Sequence, residues 1–498
     1  MRETTLQTLM ERVRHGEAGL ACDSRLVREG DVFVAVPGST VDGTRFIAAA
    51  LKAGASAVVA QSLPAADPAA DLTADHVLFA RSDDPARDLG LLAASRNGTD
   101  SLPFPVVGIT GTNGKTTITY LLEHLFRANG KNAGVLGTVS YRWPGYEEAA
   151  PLTTPDLLSL HDMLSRMRLA DVEAVFMEVS SHALGQQRVA GIPFAGAVFT
   201  NLTQDHLDYH QTMDRYFEAK ARLFSLVREG GVMVANSDDQ WGRRLLADHP
   251  QAIGYGLRPC ADVSNRMLHG TITASSPQGL RLRLEWEGRT WEIDSPLVGE
   301  HNALNLLAVQ AFGLGFGMMP EQLDCFSNFY GVSGRLERVQ AKRGGQDLHV
   351  FVDYAHTPDA LVNVLQALRG AGFGRIVTVF GCGGDRDRTK RPLMGEAVAR
   401  LSDVAVLTSD NPRHEEPLAI MADVMPGLER GAAERGEDAP LKIVAEADRH
   451  KAIKLALELA KPGDAVLIAG KGHEPYQQIG DVKHPFSDQD VVRELTCA

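Results

Sequence analysis

The sequence predicts an α/β protein of three domains, and three observations carry that expectation. The chain has 498 residues, which at roughly 150 residues per domain is about three domains. From residue 106 onward, short apolar strand-like runs alternate with helical runs, the pattern of a mainly parallel sheet covered on both faces. That rhythm breaks over 270–296 and restarts after Gly331-Val332-Ser333-Gly334-Arg335. The expected divisions are 1–100, 101–331 and 332–498.

The first division holds apolar runs at 32–36, 57–60 and 76–79 between turns such as Pro37-Gly38, a small α/β unit. Residues 95–105 are polar, with Asn97-Gly98 and two prolines, and read as a linker. A buried strand is expected at 106–110, then a glycine loop and a helix at 117–128. Further strands are expected at 174–179, 195–199 and 231–236. Over 270–296, Leu280, Leu282, Leu284 and Trp286 alternate with polar residues, which predicts an antiparallel addition. The third division is Rossmann-like, with strands at 349–352, 376–380, 404–408 and 465–468.

Composition narrows the function classes. Hydrophobic residues make up 44% and charged residues 23%, ordinary values for a soluble globular chain. Lys and Arg number 50 against 63 Asp and Glu, a net charge of -13. Nucleic acid and anionic membranes are poor partners for such a chain. An anionic small substrate stays open, because a few local cations can hold one. Residues 1–16 lack the apolar core of a signal peptide, and no stretch nears the ~18 apolar residues of a membrane span. Five scattered cysteines, Cys22, Cys260, Cys325, Cys382 and Cys497, form no CxxC pair. Neither a disulfide framework nor a zinc site is expected, and a reducing cytoplasm fits.

The sharpest motif is the loop between the strand at 106–110 and the helix after it. Its glycines let backbone N–H groups turn towards a phosphate chain, and the helix N-terminus adds partial positive charge. Lys115 can reach β/γ-phosphates, and the Thr116 hydroxyl can ligate Mg²⁺. The usual spacing puts a glycine at 109, where Ile109 stands, so the loop is the tighter Gly111-Thr112-Asn113-Gly114-Lys115-Thr116-Thr117. Gly381-Cys382-Gly383-Gly384 reads equally as a tight turn or a ligand loop.

Three further residues stand out. Glu178 ends an apolar strand, at the edge where α/β sheets put ligands, although a carboxylate paired with a nearby base also fits. His206 follows the next strand, where a lone His is commonly structural. Lys220 aligns with Tyr216, Phe217 and Phe224 on a helix over 213–224. Such a Lys usually snorkels outward; buried, it would need a compensating charge or a chemical change.

In this order, Gly111–Thr116, Glu178-Val-Ser-Ser-His182, Asn201-Leu-Thr-Gln-Asp-His206 and Tyr216-Phe-Glu-Ala-Lys220 resemble the Mur ligases, which build the peptide stem of bacterial cell-wall precursors. His301-Asn302-Ala-Leu-Asn305, Gly334-Arg335-Leu-Glu337 and Asp353-Tyr-Ala-His356 extend the resemblance over essentially the whole chain. It implies a central P-loop-type ATPase domain, flanked by a UDP-sugar-binding N-terminal domain and an amino-acid-binding C-terminal domain. Asp23-Ser24-Arg25, Thr153-Thr154-Pro155, Asp410-Asn411-Pro412-Arg413 and Gly470-Lys471-Gly472-His473-Glu474 resemble the branch that adds the third stem residue.

That branch implies ATP-dependent addition of meso-2,6-diaminopimelate to the D-glutamate of UDP-N-acetylmuramoyl-L-alanyl-D-glutamate, through an acyl phosphate, in the cytoplasm and as a monomer. The implied cofactors are ATP, two Mg²⁺ ions and a CO₂-derived carbamate on Lys220. Lys115, Lys220, Glu178 and His206 would be catalytic, and Thr116, Glu178, His206 and carbamylated Lys220 would hold metal. Asn302, Arg335, Asp353 and His356 would join residues 111–117 in binding ATP. Ser24, Ser39, Thr40, Val41, Thr153, Thr154, Ser180, Gln186 and Arg188 match positions for the UDP-muramoyl dipeptide. Arg386, Asp410, Asn411, Pro412, Arg413, Gly470 and Glu474 match positions for diaminopimelate.

Diaminopimelate differs from lysine by a distal carboxylate, which a guanidinium at 413 can hold by two charge-assisted hydrogen bonds while repelling a lysine ammonium. Residues 381–395 agree: Arg386, Arg388, Lys390 and Arg391 outnumber Asp385 and Asp387. A lysine-adding relative, a folylpolyglutamate-synthase-like ligase and a nucleotide-hydrolysing switch are the alternatives. The N-terminal division and 410–413 argue against the second. A switch would have no use for Lys220 or the basic pocket.

Overall fold

The computed structural model describes residues 1–38, 41–62, 77–203, 205–260, 266–343, 346–435 and 440–496. Its architecture is α/β, in two compact units: Met1–Gly254 with Cys260–Arg266 and Ala311–Gly317, and Tyr255–Pro259 with Met267–Gln310 and Met318–Ala498.

The first unit opens with a parallel sheet in the order Arg2–Glu3, Leu78–Arg81, Ala57–Ala60, Val32–Val34, Leu20–Ala21. The helix Pro85–Asn97 covers it, started by the Asp84 side chain, which accepts from Arg87 N–H, and ended by Gly98 at φ 64. The expected linker therefore begins too early. Ser95 is helical and buried, and its hydroxyl donates to Met10 O at 3.0 Å. A polar residue satisfied by a distant partner mimics a loop residue in sequence.

The larger sheet of this unit carries parallel strands in the order Val227–Asn236, Phe194–Phe199, Val106–Thr110, Ala174–Glu178, Ala133–Leu136, then the antiparallel pair Ser140–Trp143 and Tyr146–Ala149. Every residue of Val106–Thr110, Ala174–Glu178 and Phe194–Phe199 is buried, which is why these strands read as continuous apolar runs. Their register sets Glu178 beside Ile109 and Phe199 beside Thr110. The loops that follow all three strands thus emerge at one carboxyl edge, where open α/β sheets bind ligands.

The second unit begins with the antiparallel meander Met267–Ser276, Gly279–Trp286, Arg289–Ser295, with Leu280, Leu282, Leu284 and Trp286 buried as their alternation predicts. Its six-stranded sheet runs Glu337–Arg343, Gln346–Asp353, Ala465–Ala469, Ile376–Phe380, Val404–Leu407, Lys442–Ala445. Only the first pair is antiparallel. The two edge strands escaped the sequence reading because both are partly exposed, Glu337–Arg343 being rich in charge and Lys442–Ala445 only four residues long. Among the described residues no helix is long and apolar enough to cross a membrane. Cys22, Cys260, Cys325 and Cys382 are free thiols; Cys497 lies outside the described residues.

Candidate functional site

In the first unit the glycine loop is braced by the loop after Phe194–Phe199. Thr112 N–H donates to Asn201 O at 2.9 Å, Asn113 N–H to Asn201 Oδ1 at 3.0 Å, and the Thr200 hydroxyl to Asn113 O at 2.6 Å. Only glycine fits at 111: φ is 145, and a Cβ would stand 1.8 Å from Thr200 Oγ1. Gly114, at φ 86, directly precedes the helix Lys115–Ala128. Thr116 is buried in the first turn of that helix. Lys115 curls over the loop, its Nζ donating to Gly111 O at 2.9 Å and Thr112 O at 2.8 Å.

Lys220 does not snorkel outward. Its helix, Met213–Ser225, starts at Thr212, whose side chain accepts from Arg215 N–H. The apolar face turns inward and takes Lys220 with it, leaving the residue 2% exposed. Its Nζ donates to Gly111 O at 2.8 Å and lies 4.6 Å from the Tyr216 ring centroid. Burial, with the nearby Lys115 charge adding to it, holds this amine well below the ordinary lysine range. Lys220 and Lys115 thus share one carbonyl oxygen of the phosphate loop.

Glu178 is 1% exposed at the end of its strand. Its Oε1 accepts from Thr138 N–H at 2.8 Å and its Oε2 from the Thr138 hydroxyl at 3.0 Å. Thr138 escaped the sequence reading; its one signal is its place just after the strand Ala133–Leu136. The residues matched to the muramoyl dipeptide gather around this carboxylate. The Thr138 hydroxyl oxygen, whose proton goes to Glu178, lies 3.2 Å from Thr153 Oγ1, and the Thr154 hydroxyl donates to Glu178 O at 2.9 Å. Ser180 N–H donates to Thr154 Oγ1 at 3.0 Å, Arg188 Nη1 to Thr154 O at 3.4 Å, and Arg188 Nη2 to Gln186 Oε1 at 2.6 Å. Ser24 lies in the turn after Leu20–Ala21, and Val41 is exposed beside Gly38. Ser39 and Thr40 lie outside the described residues.

His206 takes φ 52, and its ring lies 4.8 Å from the His182 ring and 6.2 Å from Tyr216. Among the described residues no three His, Cys, Asp or Glu side chains stand together as a ready-made metal cage. That suits Mg²⁺, which is ordinarily held by one or two protein oxygens with phosphates and water. The buried Glu178 carboxylate and Thr116 hydroxyl are donors of the right hardness.

The second unit holds the remaining candidates. Asn302 is buried and committed to its own helix region, with Nδ2 on Val298 O at 2.9 Å and Oδ1 accepting from Asn305 at 3.1 Å. The Asp353 carboxylate accepts from Leu336 N–H at 2.5 Å and Ala355 N–H at 2.7 Å, so it shapes the main chain around Arg335. Burial raises its pKa. Arg335 lies over the Tyr354 ring, 5.0 Å from its centroid. His356 Nδ1 meets Tyr354 O at 2.8 Å, and burial lowers its pKa.

The candidate amino-acid pocket is assembled by three loops. A Cβ at Gly383 would stand 3.0 Å from Arg413 Nη1 and 3.8 Å from Arg386 Cγ, so the two arginines flank this glycine. Glu474 Oε2 accepts from Asn411 Nδ2 at 2.8 Å and Lys471 Nζ at 3.3 Å, and Lys471 Nζ also reaches Asn411 Oδ1 at 3.1 Å. A Cβ at Gly470 would lie 2.3 Å from Asp410 Oδ2, so these loops pack closely. Pro412 is buried, its carbonyl against Gly384. Lys471 was missed as a contributor because nothing local marks a lysine as fully buried.

The charge excess over 381–395 is corrected by the structure. Glu415, beyond that window, pairs with Arg388 at 2.6 Å and Arg391 at 2.7 Å, and Asp423 pairs with Arg391 at 2.8 Å. Counting along the chain cannot see partners that arrive from another loop. Among the described residues Arg386, Lys390 and Arg413 have no carboxylate partner; Lys390 Nζ donates to His356 O at 3.2 Å, whereas Arg386 and Arg413 flank Gly383.

Comparison with known proteins bears on all of this. Three family descriptions match in chain order: "Mur ligase family, catalytic domain" over 18–96, "Mur ligase middle domain" over 109–313, and "Mur ligase, glutamate ligase domain" over 334–472. A Lawsonia intracellularis protein named UDP-N-acetylmuramoyl-L-alanyl-D-glutamate--2,6-diaminopimelate ligase is 54% identical over 483 residues, 96% of this chain and 95% of that one. A Gloeobacter violaceus protein of the same name is 44% identical over 487 residues, 96% and 93% of the two chains. A solved structure of a ligase so named superposes with TM-score 0.69 at 33% identity, covering 96% and 94% of the chains. Sharing motifs, fold and full-length similarity with these proteins, the chain belongs to the Mur ligase family.

Proposed function

We propose that the chain is an ATP-dependent ligase joining meso-2,6-diaminopimelate to the D-glutamate of UDP-N-acetylmuramoyl-L-alanyl-D-glutamate, with release of ADP and phosphate. One observation carries the choice of amino acid. Arg386 and Arg413 flank Gly383 without carboxylate partners, in the same unit as a Glu474 carboxylate oriented by Asn411 and Lys471. A ligand end bearing both a carboxylate and an ammonium suits that set, whereas lysine offers only the ammonium. The names of the relatives at 54% and 44% identity agree.

The chemistry follows from the poor leaving group of a free carboxylate. The D-glutamyl carboxylate attacks the γ-phosphorus of ATP, forming an acyl phosphate and ADP. The diaminopimelate amine then attacks the acyl carbon, loses a proton, and phosphate departs. Two anions meet in the first step, so positive charge has to be concentrated there. With the Thr112 and Asn113 N–H groups held by Asn201, the main-chain N–H groups at the start of the helix Lys115–Ala128 would cradle the phosphates, and Lys115 would add its ammonium. Thr116 and Glu178 would hold one Mg²⁺ and His206 with carbamylated Lys220 a second; such ions, when bound, supply charge between carboxylate and phosphate.

The burial of Lys220 supports carbamylation. A lowered pKa favours the neutral amine, whose lone pair adds to CO₂, giving a carbamate and a proton. The product is an anion beside the Lys115 cation. In the second unit Asn302, Arg335, Asp353 and His356 are the nucleotide candidates. Ser24, Ser39, Thr40 and Val41 serve the UDP end, and Thr153, Thr154, Ser180, Gln186 and Arg188 the dipeptide end. Arg386, Asp410, Asn411, Pro412, Arg413, Gly470 and Glu474 serve diaminopimelate. Residues 1–100, 101–331 and 332–498 thus divide the labour as UDP-sugar, ATP and amino-acid domains of a cytoplasmic monomer.

The test is product mass after incubation with ATP, Mg²⁺, UDP-muramoyl dipeptide and either amino acid. A diaminopimelate adduct with one ADP per product is expected. Equal lysine incorporation would overturn the choice of amino acid, and ATP turnover without any adduct would overturn ligation.

A further inference from the structure

The two unpaired arginines ride on different loops, and their spacing must be set by something. Arg386 belongs to the loop after Ile376–Phe380, and Arg413 to the loop after Val404–Leu407. Glu415 joins the two. It sits two residues beyond Arg413, and its Oε1 accepts from the N–H of Asp385, the residue before Arg386, at 2.6 Å. The same carboxylate takes Arg391 through both Nη atoms, at 2.7 and 3.0 Å, and Arg388 at 2.6 Å. Arg391 has a side chain only 1% exposed, and its Nη2 also meets Gly383 O at 3.4 Å. Two further bonds run alongside: Gly384 N–H donates to Asn411 O at 2.9 Å, and the Arg413 side chain donates from Nη1 to Gly384 O at 2.7 Å. Gly384 permits this approach, since a Cβ there would stand 1.9 Å from Pro412 O.

We propose that Glu415, gripped by Arg391, is a positioning residue that sets the separation of Arg386 and Arg413 and thereby the preference for an amino acid with a distal carboxylate. Neither partner needs to touch the ligand. A bidentate guanidinium–carboxylate pair is directional, so it fixes orientation as well as distance. Binding groups lose discrimination when the residues that hold them are loosened. The proposal rests on the diaminopimelate reading above.

The experiment is steady-state kinetics of Glu415→Gln with diaminopimelate and with L-lysine, on the full chain. The expected result is a KM for diaminopimelate raised roughly 10- to 100-fold, with little change in kcat. The kcat/KM ratio of diaminopimelate to lysine should fall by the same factor, while KM for ATP and for the UDP-muramoyl dipeptide stays put. Asp423→Asn, which removes Arg391's other, half-exposed partner, should keep the ratio. If Glu415→Gln does not fold, Arg391→Lys carries the same test, since it keeps the charge and loses the fork. A folded variant of either kind with an unchanged ratio overturns the positioning role alone. Wild-type enzyme that shows no preference for diaminopimelate overturns the underlying reading and this proposal with it.

Discussion

Buried cations are treated in opposite ways in the two units. In the first, Lys220 is sealed off with a carbonyl oxygen and an aromatic ring for company, close to a second lysine. In the second, Arg449 is fully buried with both its Nε and Nη2 on the Asp488 carboxylate at 2.8 Å, and Arg391 and Lys471 are likewise paired with Glu415 and Glu474. An arginine cannot shed its proton and must bring a counter-charge inside; a lysine can go neutral. The paired guanidinium is therefore scaffolding, and the unpaired amine is a group poised for chemistry.

The largest effect expected from this contrast is on stability. Arg449→Met strands the buried Asp488 carboxylate and should cost about 3–5 kcal/mol. Lys220→Met leaves no orphaned charge and should cost no more than about 1 kcal/mol, the scale of one lost hydrogen bond. Urea unfolding in CO₂-depleted, Mg²⁺-free buffer compares them; equal losses would break the comparison.

Activity should show the reverse order of importance for Lys220. Lys220→Ala is expected to lower kcat roughly 10²- to 10³-fold, the scale of losing one charge-stabilising group, with partial rescue by a short carboxylic acid. Peptide mass spectrometry under CO₂ should find one CO₂ added at Lys220. Absence of both rescue and adduct would remove its carbamate role.

A third buried group, His161, sharpens the comparison because it stays neutral. Its Nδ1 meets the Thr99 hydroxyl at 2.5 Å and its Nε2 Ala190 O at 2.9 Å, and burial pulls its pKa from 6.5 down to about 4. Since the folded pKa lies below the unfolded one, the unfolded chain binds more protons between these values. Stability should therefore fall as pH drops from 6.5 towards 4, by roughly 3 kcal/mol in all. His161→Gln keeps a donor for Ala190 and should flatten that part of the stability–pH curve.

The smallest expected effect is at the ligand end. Arg413→Lys replaces a fork with a point charge and should lower kcat/KM for diaminopimelate by the value of one charge-assisted hydrogen bond, about 1.5–3 kcal/mol. In the proposed reading Arg413 would contact the ligand directly, so its loss should leave the bonds among Glu415, Arg391 and Asp385 in place. Hydrogen exchange at the Asp385 amide checks that.

Much of this was legible before any coordinates. The strands at 106–110 and 376–380 were read within a residue because burial on both faces leaves unbroken apolar runs. Glu178 was picked out by its place at a strand end, and residues 111–117 by glycine spacing. The failures share a cause. Ser95 reads as a linker residue, the local pattern leaves the burial of Lys220 open, and a count of the cations of 381–395 omits Glu415. Each depends on a partner tens of residues away, and propensity or local charge carries no trace of it.

The sequence by itself determined the α/β class, the phosphate loop and the family, because these rest on local periodicity and on short runs whose spacing reflects one strand–turn–helix unit. Only the tertiary structure decided which charges are usable. It buried Lys220 against Gly111 O, neutralised Arg388 and Arg391 through Glu415, and, among the described residues, left Arg386 and Arg413 without a carboxylate partner. Solvation and pairing are properties of three-dimensional neighbourhoods, and they decide whether a lysine is a surface cation or a reactive amine.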